Sequence, residues 1–431
     1  MSKYFNSPVV GIDISEGFHV VSILSPDGSL YCKTFNIKHN LSGFNFLLDK
    51  IQEVEKKFSM KTGIFMESTG IYHISLFHFL KNKKLEAFLI NPLITNSSKN
   101  KDIRKEKNDK RDSLNIARLG KFQEIKAYDY FEPEIFSLRS LIRDYYKQVD
   151  IRSIYKKKLS ADIHLVLPGY KKIFNSMTCQ TSLEILKKYP SPQALLSADK
   201  NEVINILLLH SRKGLVWSNN KYDELIKMAE EAKTIGFVVQ GLITRIINNI
   251  TMIETLNEQI EAILIEIRNT INDKNFPSDL KHNIELIDSI IGIDFISAVA
   301  LITEIGNHKR FDKPKQLVAY LGVDASVNQS GKFIGTRNKM SKRGSKIARR
   351  VLFAAAMASI RSKRNGEPMN KVLKDYYEQN QKNKAKKVAL GAVMHKITNY
   401  IFAVLRDQKE YIERLPKIHE HMYLFNLEKS A

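Results

Sequence analysis

"PVVGIDISEGFHVVSILSPDGSLYCKTFNI", residues 8–37, decides how the first part of the chain folds. It opens on the apolar run Val9, Val10 and Ile12, which reads as a short buried strand leading to Asp13. Alternating β-formers then flank the turn sequence Pro26-Asp27-Gly28, so the rest reads as a hairpin. Working outward, "LSGFNFLLDKIQEVEKKF" (41–58) has apolar residues at helical spacing, with Ser42 as its expected cap. "TGIFMEST" (62–69) is a strand, "IYHISLFHFLKN" (71–82) a helix, and "LEAFLINP" (85–92) a strand stopped by Pro92. The basic stretch "SSKNKDIRKEKNDKRD" (97–112) runs into the helix "SLNIARLGKF" (113–122). A hairpin followed by alternating helices and strands predicts a mixed sheet with helices packed on it over residues 1–125.

The charge balance narrows the partners. Lys and Arg number 68 against 46 Asp and Glu, a net charge of +22 on 431 residues. That excess predicts a polyanion, nucleic acid first. A basic membrane-surface protein would need a strongly amphipathic basic helix or an anchor, and neither termini offers one. The start has no apolar signal region, and the apolar runs read as shorter than the ~20 residues of a membrane span. The expectation is a cytoplasmic protein without a membrane partner. Two distant cysteines, Cys32 and Cys179, supply neither a disulfide framework nor a zinc site.

The remainder is predicted to be all-α. Residues 126–280 read as a helical and coiled-coil linker. Leu138, Leu141, Ile142, Tyr145 and Val149 share one helix face; Ile246, Ile253, Ile260 and Ile267 recur every seven residues. Leu242, Leu256 and Ile263 fill the second seam, with Asn249 as its polar member, a pattern that suits either dimerisation or packing within the chain. Residues 281–370 form the next region. There "ELIDSIIGIDFISAVALITEIG" (285–306) looks like a helix-hairpin-helix, whose backbone N–H groups contact phosphate. Residues 371–431 read as two terminal helices.

Two groups of residues carry chemistry. Asp13 and Glu67 lie at strand ends, and Asp109 and Asp112 share a face at the start of a helix. Singly, such acids are turn residues or helix-start residues that favour the dipole. Gathered at one sheet edge they would repel unless they held cations, and two Mg²⁺ ions would clamp the oxygens of a phosphodiester. Lys107, Lys110 and Arg111 beside them suit a phosphate backbone. The second group lies between Ala325 and Gly366, 42 residues with eleven Lys or Arg and no acid. Lys332, Arg337, Lys339, Lys342, Arg343, Lys346, Arg349 and Arg350 are its candidate nucleic-acid contacts. Ser341 and Ser345 sit among them. Ser345 stands where a helix N-cap belongs. Ser341 lies in the basic loop, where it is either a phosphate-contacting hydroxyl or a nucleophile.

"GIDIS" (11–15), "MESTG" (66–70) and "RKEKNDKRDSLNIARL" (104–119) resemble the three acidic blocks of the DEDD transposases. "IIGIDFISAVALITEIG" (290–306), "FDKPKQLVAYLG" (311–322) and the "QSG…MSKRGS…RRVLFAAA" pattern (329–356) resemble the second region of the same group, the IS110 family of bacterial insertion sequences with its Piv-type invertases. "LRSLIRDYYKQ" (138–148) and "KKYPSPQALLSA" (187–198) resemble its middle region more loosely. The resemblance implies an RNase H-like (RuvC-like) first domain and a catalytic set of Asp13, Glu67, Asp109 and Asp112 holding Mg²⁺. It implies Ser341 as the nucleophile that links to DNA and a site composed from both regions; the heptads, and the need of strand exchange for at least two active sites, give the expectation of a homo-oligomer of two or four chains. It also implies a guide RNA encoded by the element and pairing with insertion-sequence and target DNA. Departures are Asp294 where a second glycine is usual, Ser113 beside Asp112 where alanine is common, and no proline in "GVDAS" (322–326). The competing expectations are a RuvC-like nuclease of branched DNA, which needs the acids but not Ser341, and a nucleic-acid-binding scaffold, which needs neither. "GIDIS" also resembles the first phosphate loop of actin-like sugar kinases, but the further Gly-rich loops of that fold are missing.

Overall fold

A computed structural model describes residues 2–68, 70–90, 94–95, 109–123, 133–325, 329–330, 333–334 and 339–414. Pro92, Lys107, Lys332, Arg337 and the side chain of Asp109 lie outside the described residues, as does the end of the chain from 415. The chain divides into two compact units, Met1–Phe131 and Glu132–Ala431.

In the first unit, β1 (Val9–Asp13), β2 (Phe18–Leu24), β3 (Phe35–Lys38), β4 (Gly63–Glu67) and β5 (Ala87–Ile90) form one sheet in the order β3-β2-β1-β4-β5. β1, β2 and β3 are antiparallel to their neighbours, while β1, β4 and β5 run parallel. The period of two sorts the side chains by face. Val10, Ile12, Val21, Ile23, Ile64 and Met66 pack against α1 (Leu41–Phe58) and α2 (His73–Asn82). Val9, Leu24, Phe65 and Ile90 pack on the other face against Ile116, Ala117 and Leu119 of α3 (Asp109–Phe122).

One local reading, the cap of the first helix, is corrected, and two others gain detail. The Pro26-Asp27-Gly28 turn forms, with Gly28 N–H donating to Ser25 O at 2.9 Å; Leu30 bridges back to Leu24, and the continuous ladder of the returning strand begins at Phe35. The cap of α1 is Asn40, whose side chain accepts from Gly43 N–H at 2.9 Å. Ser42 lies inside the first turn and donates to Asn40 instead. Ser113, in place of the commoner alanine, is fully buried and hydrogen-bonded to Ser22 at 2.8 Å, which ties α3 to β2.

The second unit is almost entirely helical. α4 (Pro133–Val166) and α9 (Gln240–Asn272) are its long helices, about 50 Å each at 1.5 Å per residue. Between them come α5 (Gln180–Lys188), α6 (Pro192–Leu196), α7 (Lys200–Ser211) and α8 (Leu215–Ile235). After them come α10 (Ser278–Asp288), α11 (Phe295–Ile305), α12 (Pro314–Leu321), the short strands β6 (Gln329–Ser330) and β7 (Phe333–Ile334), α13 (Lys346–Ser359), α14 (Lys371–Gln381) and α15 (Lys386–Asp407).

α4 and α9 lie antiparallel. Leu138 and Ile142 join Ile267 and Ile271 in one core, and Leu159, Ile163 and Val166 join Leu242, Ile246 and Ile253 in another. The heptad seam is therefore filled by α4 of the same chain. Asn249 is satisfied there too, donating to the buried Asp162 at 3.0 Å, while Arg245 pairs with the other oxygen of Asp162 at 2.9 Å. The seam needs no second copy to cover it.

α15 corrects the reading of apolar runs. By length and composition it could cross a membrane, yet more than half of its most apolar window is buried inside the unit. Leu390, Val393, Ile397 and Ile401 lie in the same core as α10–α13, which makes α15 a core helix. Glu304 on α11, almost fully buried, accepts from Arg139 and Arg143 of α4, each at 3.0 Å. Burial would raise its pKa, but the two guanidiniums outweigh that and hold it below the ordinary value.

Candidate nucleic-acid processing site

The acids of the first unit are placed by backbone register. β1 and β4 pair in parallel up to Ile12 opposite Met66, so one step further Asp13 comes beside Glu67. Both residues have the parity of Gly11 and Phe65 and so lie on the face covered by α3. α3 crosses β1 at very close range. A Cβ added to Gly11 would stand 2.2 Å from Ser113 O and 2.3 Å from Ala117 N, so only glycine admits the helix there. That contact brings the N-terminal turn of α3, with Asp109 and Asp112, to the edge where β1 and β4 end. Glu67 accepts a hydrogen bond from Thr95 at 2.8 Å.

The donor set suits a hard divalent cation, which takes carboxylate oxygens. Placement suits it too: two adjacent strand ends and one helix start on a single face. Among the described residues, no three His, Cys, Asp or Glu side chains are already gathered as an ion-holding cluster. Lys110 and Arg111 are exposed at the start of α3.

The serines of the second unit have different settings. Ser345 is the N-cap of α13: its hydroxyl accepts from Ala348 N–H at 3.2 Å. Ser341, half-buried, lies before that helix in a loop tied to the end of α12. Its N–H donates to Asp324 O at 2.9 Å, Lys342 N–H donates to Gly322 O at 3.2 Å, and Met340 bridges to Ala325. Gly322 and Gly344 are where the two segments touch. A Cβ on Gly344 would meet Tyr320 O at 2.1 Å, and one on Gly322 would meet Gly344 N at 2.5 Å. The left-handed backbone of Gly322 (φ 71°) and of Lys342 (φ 55°) turns the chain on either side.

The side chain of Ser341 donates a hydrogen bond to Asp324 Oδ1. Sequence reading missed Asp324. The one available signal was negative: Asp324 is the last acid before the 42 acid-free residues.

The cations divide. Lys339, Lys342, Arg343 and Lys346 are exposed on or beside the loop. Arg349 reaches back to Gly344 O at 2.5 Å, closing the loop from below. Arg350 pairs with Asp150 at 2.7 Å and lies over the Tyr146 ring, 4.8 Å from its centre. In the hairpin between α10 and α11, Asp294 caps α11 by accepting from Ser297 N–H at 2.8 Å, which accounts for an acid where glycine is usual.

Comparison with known proteins gives two family matches. Residues 10–168 match the DEDD_Tnp_IS110 family, described as transposase. Residues 284–378 match the family described as Transposase IS116/IS110/IS902. Pilin gene-inverting proteins of Moraxella bovis and Moraxella lacunata are each 30% identical over 141 residues. That stretch is 33% of this chain and 42% of theirs, so the match spans under half the length of these relatives.

Proposed function

Since the chain belongs to the IS110 family of transposases, we propose that it is a DNA recombinase that cleaves and rejoins insertion-sequence and target DNA through Ser341. The observation that carries this reading is the division of labour between the two serines. Ser345 is spent as a helix cap, whereas Ser341 stands outside the helix, among exposed cations, with its hydroxyl against a carboxylate. The pilin gene-inverting relatives are named for a DNA inversion, which agrees with strand exchange rather than simple hydrolysis.

In this reading Ser341 Oγ attacks a phosphodiester, and a phosphoserine bond to DNA replaces the bond that breaks. The new ester conserves the energy of the old one, so rejoining needs no nucleotide cofactor. Lys339, Lys342 and Arg343 neutralise the phosphate and the charge that develops on it. Lys346, Arg337, Lys332 and, near α3, Lys107, Lys110 and Arg111 bind backbone.

The first unit we read as RNase H-like, which its mixed five-stranded sheet with helices on both faces supports. Asp13, Glu67, Asp109 and Asp112 would hold Mg²⁺, two ions per site, which when bound polarise phosphate oxygens. The same reading includes an element-encoded guide RNA and a homo-oligomer, since strand exchange needs at least two active sites, acting in the bacterial cytoplasm. With the α9 seam already filled, subunits would meet through other surfaces.

The test is co-expression with the protein's own element and flanking DNA, including any RNA encoded there. Rejoined DNA and a covalent protein–DNA adduct are measured. Ser341→Ala is expected to lose both and Ser345→Ala to keep both. An undiminished adduct in Ser341→Ala would sink the proposal and leave the acids as the centre of a nuclease.

A further inference from the structure

A serine hydroxyl needs a base to become a nucleophile near neutral pH. None of the residues singled out in the serine region can serve. Lys339, Lys342 and Arg343 on the loop, and Lys346 and Arg349 at the start of α13, are cations and have no site for a proton. The Tyr320 hydroxyl of α12 is directed to Glu304 O at 3.2 Å. α15 passes near the loop, where a Cβ added to Gly391 would stand 3.9 Å from the end of the Met340 side chain, and it carries His395 one turn further on, held below its ordinary pKa by burial and by Lys396. Among the described residues, Asp324 has a carboxylate oxygen in contact with Ser341 Oγ.

That contact is not needed to hold the loop. Backbone bonds from Ser341 and Lys342, the Ala325–Met340 bridge and the Gly322–Gly344 approach already do so. A negative charge also works against binding DNA at a surface whose next 42 residues contain no other acid. Its presence at the reacting hydroxyl is a cost that a role in the chemistry would offset.

We propose that Asp324 is the general base that takes the proton of Ser341 as Oγ attacks the phosphodiester, and that returns it when the DNA is rejoined. The proposal rests on Ser341 being the nucleophile. In the forward step the Oγ–P bond forms, the bond from phosphorus to the departing deoxyribose oxygen breaks, and the Oγ proton passes to an Asp324 oxygen. The departing oxygen takes a proton from solvent water and becomes a free hydroxyl; the strand hydroxyl that attacks in rejoining gives that proton back to solvent, so charge and protons balance over the two steps. In rejoining, a strand hydroxyl attacks the phosphoserine, and Oγ leaves with the proton held by the Asp324 carboxyl.

The test is the rate of adduct formation by the full chain on a plasmid bearing its element and flanking DNA, over the whole pH range in which the chain stays folded. Asp324→Asn keeps size and removes the proton acceptor. It is expected to slow adduct formation by about 10²–10⁴-fold and to abolish the fall in rate on the acid side, with melting temperature and DNA binding unchanged. A His395→Gln control is expected to leave that acid limb in place. Should Asp324→Asn not fold, Asp324→Glu decides: an adduct that retains the acid limb supports the base, and a folded Glu variant without any adduct overturns it. An Asp324→Asn enzyme as fast as wild type, alongside an inert Ser341→Ala, removes Asp324 and leaves the serine mechanism standing. A slow Asp324→Asn enzyme with the acid limb intact makes Asp324 a positioning residue and rejects it as the base. Adduct persisting in Ser341→Ala would bring down the serine reading itself.

Discussion

The two units hold their polar groups by opposite means. In the first, the candidate acids ride on regular elements: the ends of β1 and β4 and the first turn of α3. Their placement follows from register and from one glycine contact under the helix. In the second, the candidate serine rides on a loop, and residues 17 positions away in sequence hold it. The difference teaches that a cluster built on strand ends is encoded locally, whereas a loop site is completed by chain that only the fold brings near.

Substitutions can break or sharpen that contrast. The largest effect is expected at the chemistry. Asp13→Ala and Ser341→Ala should each abolish rejoined product, a loss of at least about 10³-fold of the kind seen when a nucleophile or charge-stabilising group is removed. Both should still bind DNA by gel shift. If Asp13→Ala recombines normally, the first unit has no catalytic share and the contrast loses its meaning.

Next comes the ion group that pins α11 to α4. Glu304→Ala leaves Arg139 and Arg143 without their buried carboxylate and should cost about 3–5 kcal/mol in denaturant unfolding. The group also carries a pH signature. A carboxylate held below its ordinary value stabilises the fold above the unfolded value of 4.5 and loses that contribution as pH falls through its folded value. The second unit should therefore weaken below pH 4.5, and the Glu304→Gln variant should lack that component.

Gly11→Ala tests whether α3 is seated by the close crossing. It should destabilise the first unit by about 1–3 kcal/mol or more, because the helix must lift from β1. Metal-dependent cleavage should fall with it, since Asp109 and Asp112 move with the helix. Unchanged stability would mean that the crossing is not what seats α3.

The first unit also has its own acid response. His19 is buried, and burial and neighbouring His39 lower its pKa from 6.5 to about 4. A base with a depressed folded value stabilises the fold above its unfolded value and loses that contribution as pH falls between the two. Thermal melts should show the first unit weakening from about pH 6.5 downward. A His19→Gln variant that melts with the same pH dependence would exclude this source.

The smallest effect is Ser345→Ala. Losing one N-cap should cost about 1 kcal/mol by unfolding and leave recombination intact.

How much was legible follows the same line. The alternation of Val10, Ile12, Val21 and Ile23 reports a strand's two faces directly, and helical spacing reports α1, α9 and α15, because both are short-range periodicities. Asn40 was passed over for Ser42 because both are good caps two residues apart, and only the helix start chooses between them. The heptads of α9 were read correctly as a buried seam, but its occupant, α4, starts over 100 residues earlier and has no mark identifying it as the partner. Arg350 reads as a DNA contact by charge, while its pairing with Asp150 is a long-range event. Asp324 is the sharpest case, since an isolated aspartate after a helix has no pattern to announce it.

By itself, the sequence determined the mixed first unit, the helical remainder, the basic character and the two sets of candidate catalytic residues. Each is a matter of composition, local period or short motif, which neighbouring residues impose on one another. Only the tertiary structure decided that α4 fills the seam of α9, that α15 is a core helix, and that Ser341 meets a carboxylate. Those depend on which distant surfaces bury each other, and burial is settled by the whole chain rather than by any stretch of it.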